Sequence, residues 1–304
     1  MAVRALRIAL VSVGLTLVAF FAYVVVQRFR FPVELEWMSG GVLDHIERVR
    51  NGQPIYAPPS AEFIAFIYPP LYLWASAFVA RFASLFVASH LVSLVATGCT
   101  AICAYRISKR LGATRYWSVV AVLLFFAAYS FTGYWYDLER SDALLMAMLT
   151  LGTVFALESE GGAFALVSGA LIGGAFFAKQ PASIFFVAGL AGLALARRFR
   201  RAAFFALGGA LAVVPLLVYL HVSTGGWFEY YCLKVPASHG IEPKLFTVFF
   251  VLDLTHAFAL TAATVAALVA FGRGVYGSFR GRPIDERAAF FGALLAASFL
   301  TSAT

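Results

Sequence analysis

Between Ile8 and Val26 the chain carries no charged residue, and apolar runs of similar length recur along most of its 304 residues. A run of roughly 20 apolar residues matches the hydrocarbon thickness of a bilayer. In lipid every backbone N–H and C=O must be satisfied within the protein, so such runs fold as helices or as closed barrels. The runs are continuous rather than alternating, which selects the helix. Composition agrees. Hydrophobic residues are 62% of the chain and charged residues 12%, against about 25% charged in soluble domains. The mean hydropathy is +0.86. The expected fold is an all-α, polytopic membrane protein.

About nine transmembrane helices are expected, near 6–26, 85–105, 116–136, 142–157, 163–178, 182–196, 202–221, 246–271 and 287–304. Arg4 and Arg7 before the first run resemble the start of a signal peptide, but the run is long and lacks a small-residue cleavage site. A retained first span is expected. Four basic clusters (Arg4/Arg7, Arg106/Lys109/Arg110/Arg115, Arg197/Arg198/Arg200/Arg201 and Arg273/Arg280/Arg282/Arg287) belong in the cytoplasm by the positive-inside rule. They all reach that side only if the apolar run 69–84, which opens with Pro69-Pro70 and contains Arg81, does not cross. That run is expected to be a re-entrant or juxtamembrane helix buried against protein. The external segments are then 27–84, 137–141, 179–181 and 222–245. The net charge of +8 is that of cytoplasmic loops. No basic surface with interleaved aromatics points to nucleic acid. The chain reads as one transmembrane domain over 1–304. It closes on an apolar stretch, which suggests that a C-terminal part is missing.

Cys99 and Cys103 share a helix face within an apolar run and read as small buried thiols. Cys232 stands alone, and no disulfide framework is expected. Tyr134, Trp135 and Tyr136, and again Trp227, Tyr230 and Tyr231, sit at outer ends of spans. An aromatic interface belt is the plain account, with sugar or lipid stacking as the alternative.

In the first external loop Val42, Leu43, Ile46 and Val49 recur at helical spacing, while Asp44, His45, Glu47, Arg48 and Arg50 fill the other face. This is a short amphipathic helix lying at the interface, ended by Asn51-Gly52. Asp44–Arg48 can pair along it. Just before it stand Glu34 and Glu36. A carboxylate at a membrane surface can take a proton from an acceptor hydroxyl or amine; a solvated loop acid is the simpler account. A second group is Tyr136-Asp137-Leu138-Glu139-Arg140-Ser141-Asp142. Arg140 suits phosphate through its planar fork, and Asp142, at the mouth of the next span, can orient a cation or a basic side chain; a hydrated turn is the alternative. The third is Ala178-Lys179-Gln180-Pro181. A lysine at span depth is costly and marks a functional site by default. The alternative is a lysine snorkelling from a turn.

The segments Glu34-Leu35-Glu36-Trp37-Met38-Ser39-Gly40-Gly41, Arg50-Asn51-Gly52-Gln53-Pro54-Ile55-Tyr56 and Phe66-Ile67-Tyr68-Pro69-Pro70-Leu71-Tyr72 resemble the first external loop of bacterial C-fold membrane glycosyltransferases. The nearest branch is that of rhizobial lipopolysaccharide sugar transferases, aminoarabinose transferase and protein mannosyltransferases, similar to glycosyltransferase family 39. Asp137-Leu138-Glu139-Arg140-Ser141-Asp142-Ala143-Leu144 resembles the second external loop of that family. Ala178-Lys179-Gln180-Pro181 resembles its lysine-bearing turn. The similarity runs from the first span to about residue 270.

The resemblance implies an enzyme that moves a sugar from a polyprenyl-phosphate donor to a lipid, glycan or protein acceptor. The site would face the periplasm from the bacterial inner membrane. Glu36 takes the place of the catalytic loop carboxylate, with Glu34 as the neighbouring candidate. Lys179 and Arg140 take the donor phosphate, and Asp142 and Asp137 are supporting acids. The resemblance fixes no cofactor; a divalent cation stays open, and no metal ligands are assigned. The competing account is a non-catalytic transporter or flippase of lipid-linked sugars, for which no inverted repeat is found.

Overall fold

The computed structural model describes residues 1–31, 33–238, 248, 249, 251, 255 and 258–303. Among them the regular elements are all helical: α1 (Ala2–Phe29), α2 (Ser39–Arg50), α3 (Leu71–Val79), α4 (Leu85–Arg110), α5 (Arg115–Ala127), α6 (Ser141–Glu158), α7 (Gly162–Gly174), α8 (Ala182–Leu195), α9 (Phe199–Thr224), α10 (Trp227–Glu229), a π-helical turn (Tyr230–Lys234), α11 (Val235–Ser238), α12 (Phe258–Phe279) and α13 (Glu286–Ala303). Among the described residues five helices are long and apolar enough to cross a membrane: Ala2–Phe29, Leu85–Arg110, Ser141–Glu158, Phe199–Thr224 and Thr261–Phe279. Three apolar helices are shorter, at Arg115–Ala127, Gly162–Phe177 and Ala182–Leu195. The chain is thus a helical membrane protein. The expected span over 246–271 and the expected external segment 222–245 lie partly outside the described residues.

Two expected boundaries move. The run 116–136 holds a helix only to Ala127, because the next residues turn back. Gly133 and Tyr134 take positive φ values of 66° and 62°, and Tyr134 N–H closes onto Tyr129 O at 3.1 Å. Within 163–178 the helix tightens into a 3₁₀ turn at Ala175–Phe177. The run 69–84 contains only the nine residues of α3, roughly 13 Å of rise. That is under half of a bilayer core of about 30 Å, so this segment does not cross as a helix. Its Tyr72, Leu73, Ser76 and Ala77 are buried in protein.

The chain divides into two compact units, Met1–Leu151 with Phe177–Lys179, and Gly152–Phe176 with Gln180–Thr304. In the first, α1 and α5 run parallel. Tyr116 OH donates to Arg7 O at one end, at 3.2 Å, and Phe21 packs edge-on against Tyr129 towards the other, at 4.9 Å. One face of α4 carries Ser89, Ser93 and Thr97 at four-residue spacing. Tyr72 OH bonds Ser89 O at 2.9 Å and Ser93 Oγ at 3.0 Å. Ser93 and Thr97 donate to Leu138 O and Tyr136 O, each at 2.6 Å. This stripe satisfies the carbonyls of an irregular loop, 128–140, that would otherwise be buried unpaired.

In the second unit α7 and α9 pack through glycine. A Cβ added at Gly169 would strike Phe205 O, and one at Gly208 would strike Leu166 O. Without a hydrophobic force between lipid-immersed helices, such close approach is what holds them. α8 meets α13 in the same way, through Gly192 against the backbone of Ala289 and Phe290.

Candidate functional site

The site belongs wholly to the first unit, at the helix ends opposite Arg4, Arg7, Arg106 and Arg110. It begins in the turn before α2. Ser39 N–H donates to Glu36 O at 3.0 Å, and Met38 N–H donates to Glu36 Oε2 at 2.9 Å. Glu36 is thereby fixed by its own turn. Gly40 and Gly41 follow because the side chains of Glu34 and Phe66 lie directly on them, where a Cβ would clash.

The other oxygen of Glu36, Oε1, accepts from Arg140 Nη1 at 2.8 Å. Arg140 Nε donates to Asp142 Oδ2 at 3.1 Å, and Lys179 Nζ donates to Asp142 Oδ1 at 2.7 Å. Glu36, Arg140, Asp142 and Lys179 thus form one chain of alternating charge, two acids against two cations. Its members come from the α2 entry, the loop before α6, the first turn of α6 and the turn after α7. The Arg140 guanidinium lies 3.9 Å from the Trp135 ring centroid and the Lys179 ammonium 5.4 Å from that of Tyr68. Cations on aromatic faces gain attraction that grows as water is excluded. Trp135 is therefore a site residue as well as a belt residue.

A narrow, solvent-open cleft with a cavity volume of only ≈ 20 Å³ lies beside this chain, lined among others by Phe66, Tyr68, Tyr72, Glu139, Arg140 and Asp142. Glu139 was not singled out by the sequence. It is 3% exposed, accepts from Ser39 Oγ at 3.2 Å and lies 3.4 Å from His90 Nδ1. It ties α2 to α4 and turns a carboxylate towards the cavity. Its signal in the sequence was the polar face of α4, Ser89, His90, Ser93 and Thr97, facing a loop with three acids.

The remaining candidates go elsewhere. Asp137 is fully buried. Its Oδ1 accepts from Arg28 Nη1 at 2.6 Å and from Tyr129 OH at 2.8 Å, which locks the loop to the end of α1 rather than to the charge chain. Glu34 is exposed and rests on Gly40. His45 does not share the polar face of α2. It is 2% exposed, stacked on Phe66 at 4.3 Å. Its Nε2 accepts from Phe66 N–H at 3.0 Å, so the proton sits on Nδ1, which donates to Gly41 O at 2.7 Å. Burial holds its pKa below the ordinary histidine value, with the Gly41 bond opposing. Arg48 donates to Pro54 O at 3.2 and 3.1 Å and lies over Phe63 at 3.6 Å, so this α2 arginine is spent on fixing the following loop.

Among the described residues no group of three or more His, Cys, Asp or Glu side chains could hold a metal ion. Chemically the arrangement offers two cations that can exchange their carboxylate partners for a phosphate, a carboxylate released by that exchange, and an aromatic-walled cavity beside them. No family model, curated protein or solved structure matches this chain.

Proposed function

We propose that the protein is a membrane glycosyltransferase that transfers a sugar from a polyprenyl-phosphate donor to a lipid, glycan or protein acceptor at the periplasmic face of a bacterial inner membrane. The observation that carries this is the Glu36–Arg140–Asp142–Lys179 chain beside a cavity walled by Tyr68 and Tyr72. In group transfer a carboxylate held against an exchangeable cation can serve as the base.

In this proposal the donor phosphate takes Arg140 and Lys179 from their carboxylates. Arg140 is suited to two phosphate oxygens at once. The exchange frees Glu36 Oε1, while Met38 N–H keeps the carboxylate in place through Oε2. Glu36 then takes the proton of the acceptor hydroxyl or amine as that atom bonds to the anomeric carbon. The bond from anomeric carbon to phosphate oxygen breaks, and the electron pair leaves on a phosphate held by the two cations. Because the acid is neutralised by Arg140 until donor arrives, the base becomes active only when a donor is bound.

Cells lacking the gene should accumulate a lipid-linked sugar. The wild-type gene should clear it and the Glu36→Ala gene should not. Equal clearance by both genes would remove Glu36 from the mechanism, and an unchanged lipid pool in the deletion strain would remove the function.

A further inference from the structure

The second unit holds an open cavity of ≈ 410 Å³ at its arginine-rich helix ends, lined by the end of α6, the α8–α9 turn and the start of α13. Four arginines and three acids face it: Arg197, Arg198, Arg201 and Arg287 against Glu160, Asp285 and Glu286. Each acid already has a task. Glu286 is held by the buried Arg201 and, at 2.8 Å, by Arg198 Nε. Glu160 lies 3.3 Å from Arg198 Nη2. Asp285 Oδ1 accepts from Ala288 N–H at 2.9 Å and caps α13. Arg197 is exposed, and its side chain makes no hydrogen bond or ion pair with any described residue. Arg201 is 7% exposed, and its Nε also lacks a hydrogen-bond partner there.

The backbone of Arg197 makes this arrangement costly. Among the described residues five helix ends close with a bond from one N–H to the carbonyl five residues back: Gln53 to Arg48, Ala113 to Ser108, Gly226 to His221, Arg282 to Gly277 and Arg198 to Leu193. This closure puts the residue before that N–H in the left-handed region, where glycine is favoured because it has no Cβ. Four of the five use glycine, at Gly52, Gly112, Gly225 and Gly281, with φ between 58° and 92°. The fifth uses Arg197, at φ 59°. An arginine held at positive φ beside a cavity, with no side-chain partner among the described residues, is the kind of backbone outlier that clusters at ligand sites.

We infer that this cavity is a phosphate-binding site, with Arg197 as its entry ligand and an anionic phospholipid headgroup as its occupant. By the positive-inside rule these helix ends lie in the cytoplasmic leaflet, where basic pockets between spans take lipid phosphates. Phosphate supplies the acceptor oxygens that Arg197 lacks. The site is separate from the charge chain of the first unit and does not depend on its proposed chemistry.

The test is thermal unfolding of the full chain in phosphatidylcholine nanodiscs titrated with phosphatidylglycerol, and separately with soluble glycerol phosphate. Phosphatidylglycerol should raise the midpoint saturably. Arg197→Gln should weaken that response roughly five- to tenfold, the worth of one cation at a membrane surface, and Arg197→Lys should retain most of it. Arg200→Gln, at an exposed arginine in the first turn of α9 outside the cavity lining, should leave it unchanged. Arg197→Gly should raise the midpoint in phosphatidylcholine alone, by relieving the backbone, yet lose the lipid response. Protection by glycerol phosphate that Arg197→Gln abolishes would assign the same site to a soluble phosphate. Wild-type phosphatidylglycerol affinity in Arg197→Gln, or an equal loss in Arg200→Gln, would overturn the site.

Discussion

Arg140 Nη1 lies 2.8 Å from Glu36 Oε1, joining two residues 104 positions apart through a carboxylate whose second oxygen is held by its own turn. The pair is nearly closed to water, at 9% and 10% exposure. The Oε1 atom of an acid held this way is occupied until its cation is drawn off.

Glu36→Gln should therefore insert and fold, since glutamine can still accept from Met38 N–H and Arg140. It should lose sugar transfer by about 100- to 10,000-fold. Glu34→Gln should lose far less, because Glu34 is exposed on the surface of Gly40. Transfer from a polyprenyl-phosphate donor in proteoliposomes measures both. A dead Glu34→Gln beside an active Glu36→Gln would exchange the two roles.

Lys179→Met should raise the donor KM about tenfold or more while leaving the thermal midpoint nearly unchanged, since Asp142 keeps Arg140 as its partner. Donor titration of the variant at saturating acceptor checks this. A variant with wild-type donor affinity would show that Lys179 serves only to hold Asp142.

The loop after α2 should loosen in acid. Unfolded histidine titrates near 6.5, and burial places folded His45 lower. Between these values the unfolded state binds more protons, so stability rises with pH. The contribution is complete above about pH 6.5 and is lost as pH falls towards the folded pKa. Limited proteolysis within 53–66 should accelerate over that range. In His45→Phe cleavage should be faster at pH 8, where Phe66 N–H loses its acceptor, and should change little with pH.

Gly169→Ala and Gly208→Ala should each destabilise the α7–α9 pair by about 1–3 kcal/mol, the range for overpacking a tight contact, because each new Cβ meets a backbone carbonyl. Gly98→Ala, which would meet nothing within 4 Å, should be neutral or stabilising by up to about 1 kcal/mol. Unfolding in mixed micelles distinguishes the three.

Cysteines placed at Ser60 and Ala113 report the orientation. In intact cells a membrane-impermeant thiol reagent should label Ser60→Cys and spare Ala113→Cys. Labelling of Ala113→Cys from outside would invert the topology and move the charge chain to the cytoplasm.

The sequence by itself determined the helical membrane class and the clustering of arginines between apolar runs, and it marked 69–84 as too short and proline-led for a full helical span. Those follow from run length, backbone satisfaction and proline, all of which are local. It also marked Glu36, Arg140, Asp142 and Lys179 as unusual, since charge beside apolar runs is visible without a fold. Only the tertiary structure decided who meets whom. Asp137 and Asp142 lie five residues apart in one motif, yet one is consumed by Arg28 and Tyr129 and the other joins Lys179. Periodicity placed His45 on a polar face because it reports hydropathy, while Phe66 N–H, twenty-one residues away, gives that imidazole its buried partner. Glu139 and Trp135 joined the site for the same reason. A side chain's role is set by the groups that long-range helix packing brings against it, and spacing along the chain does not encode them.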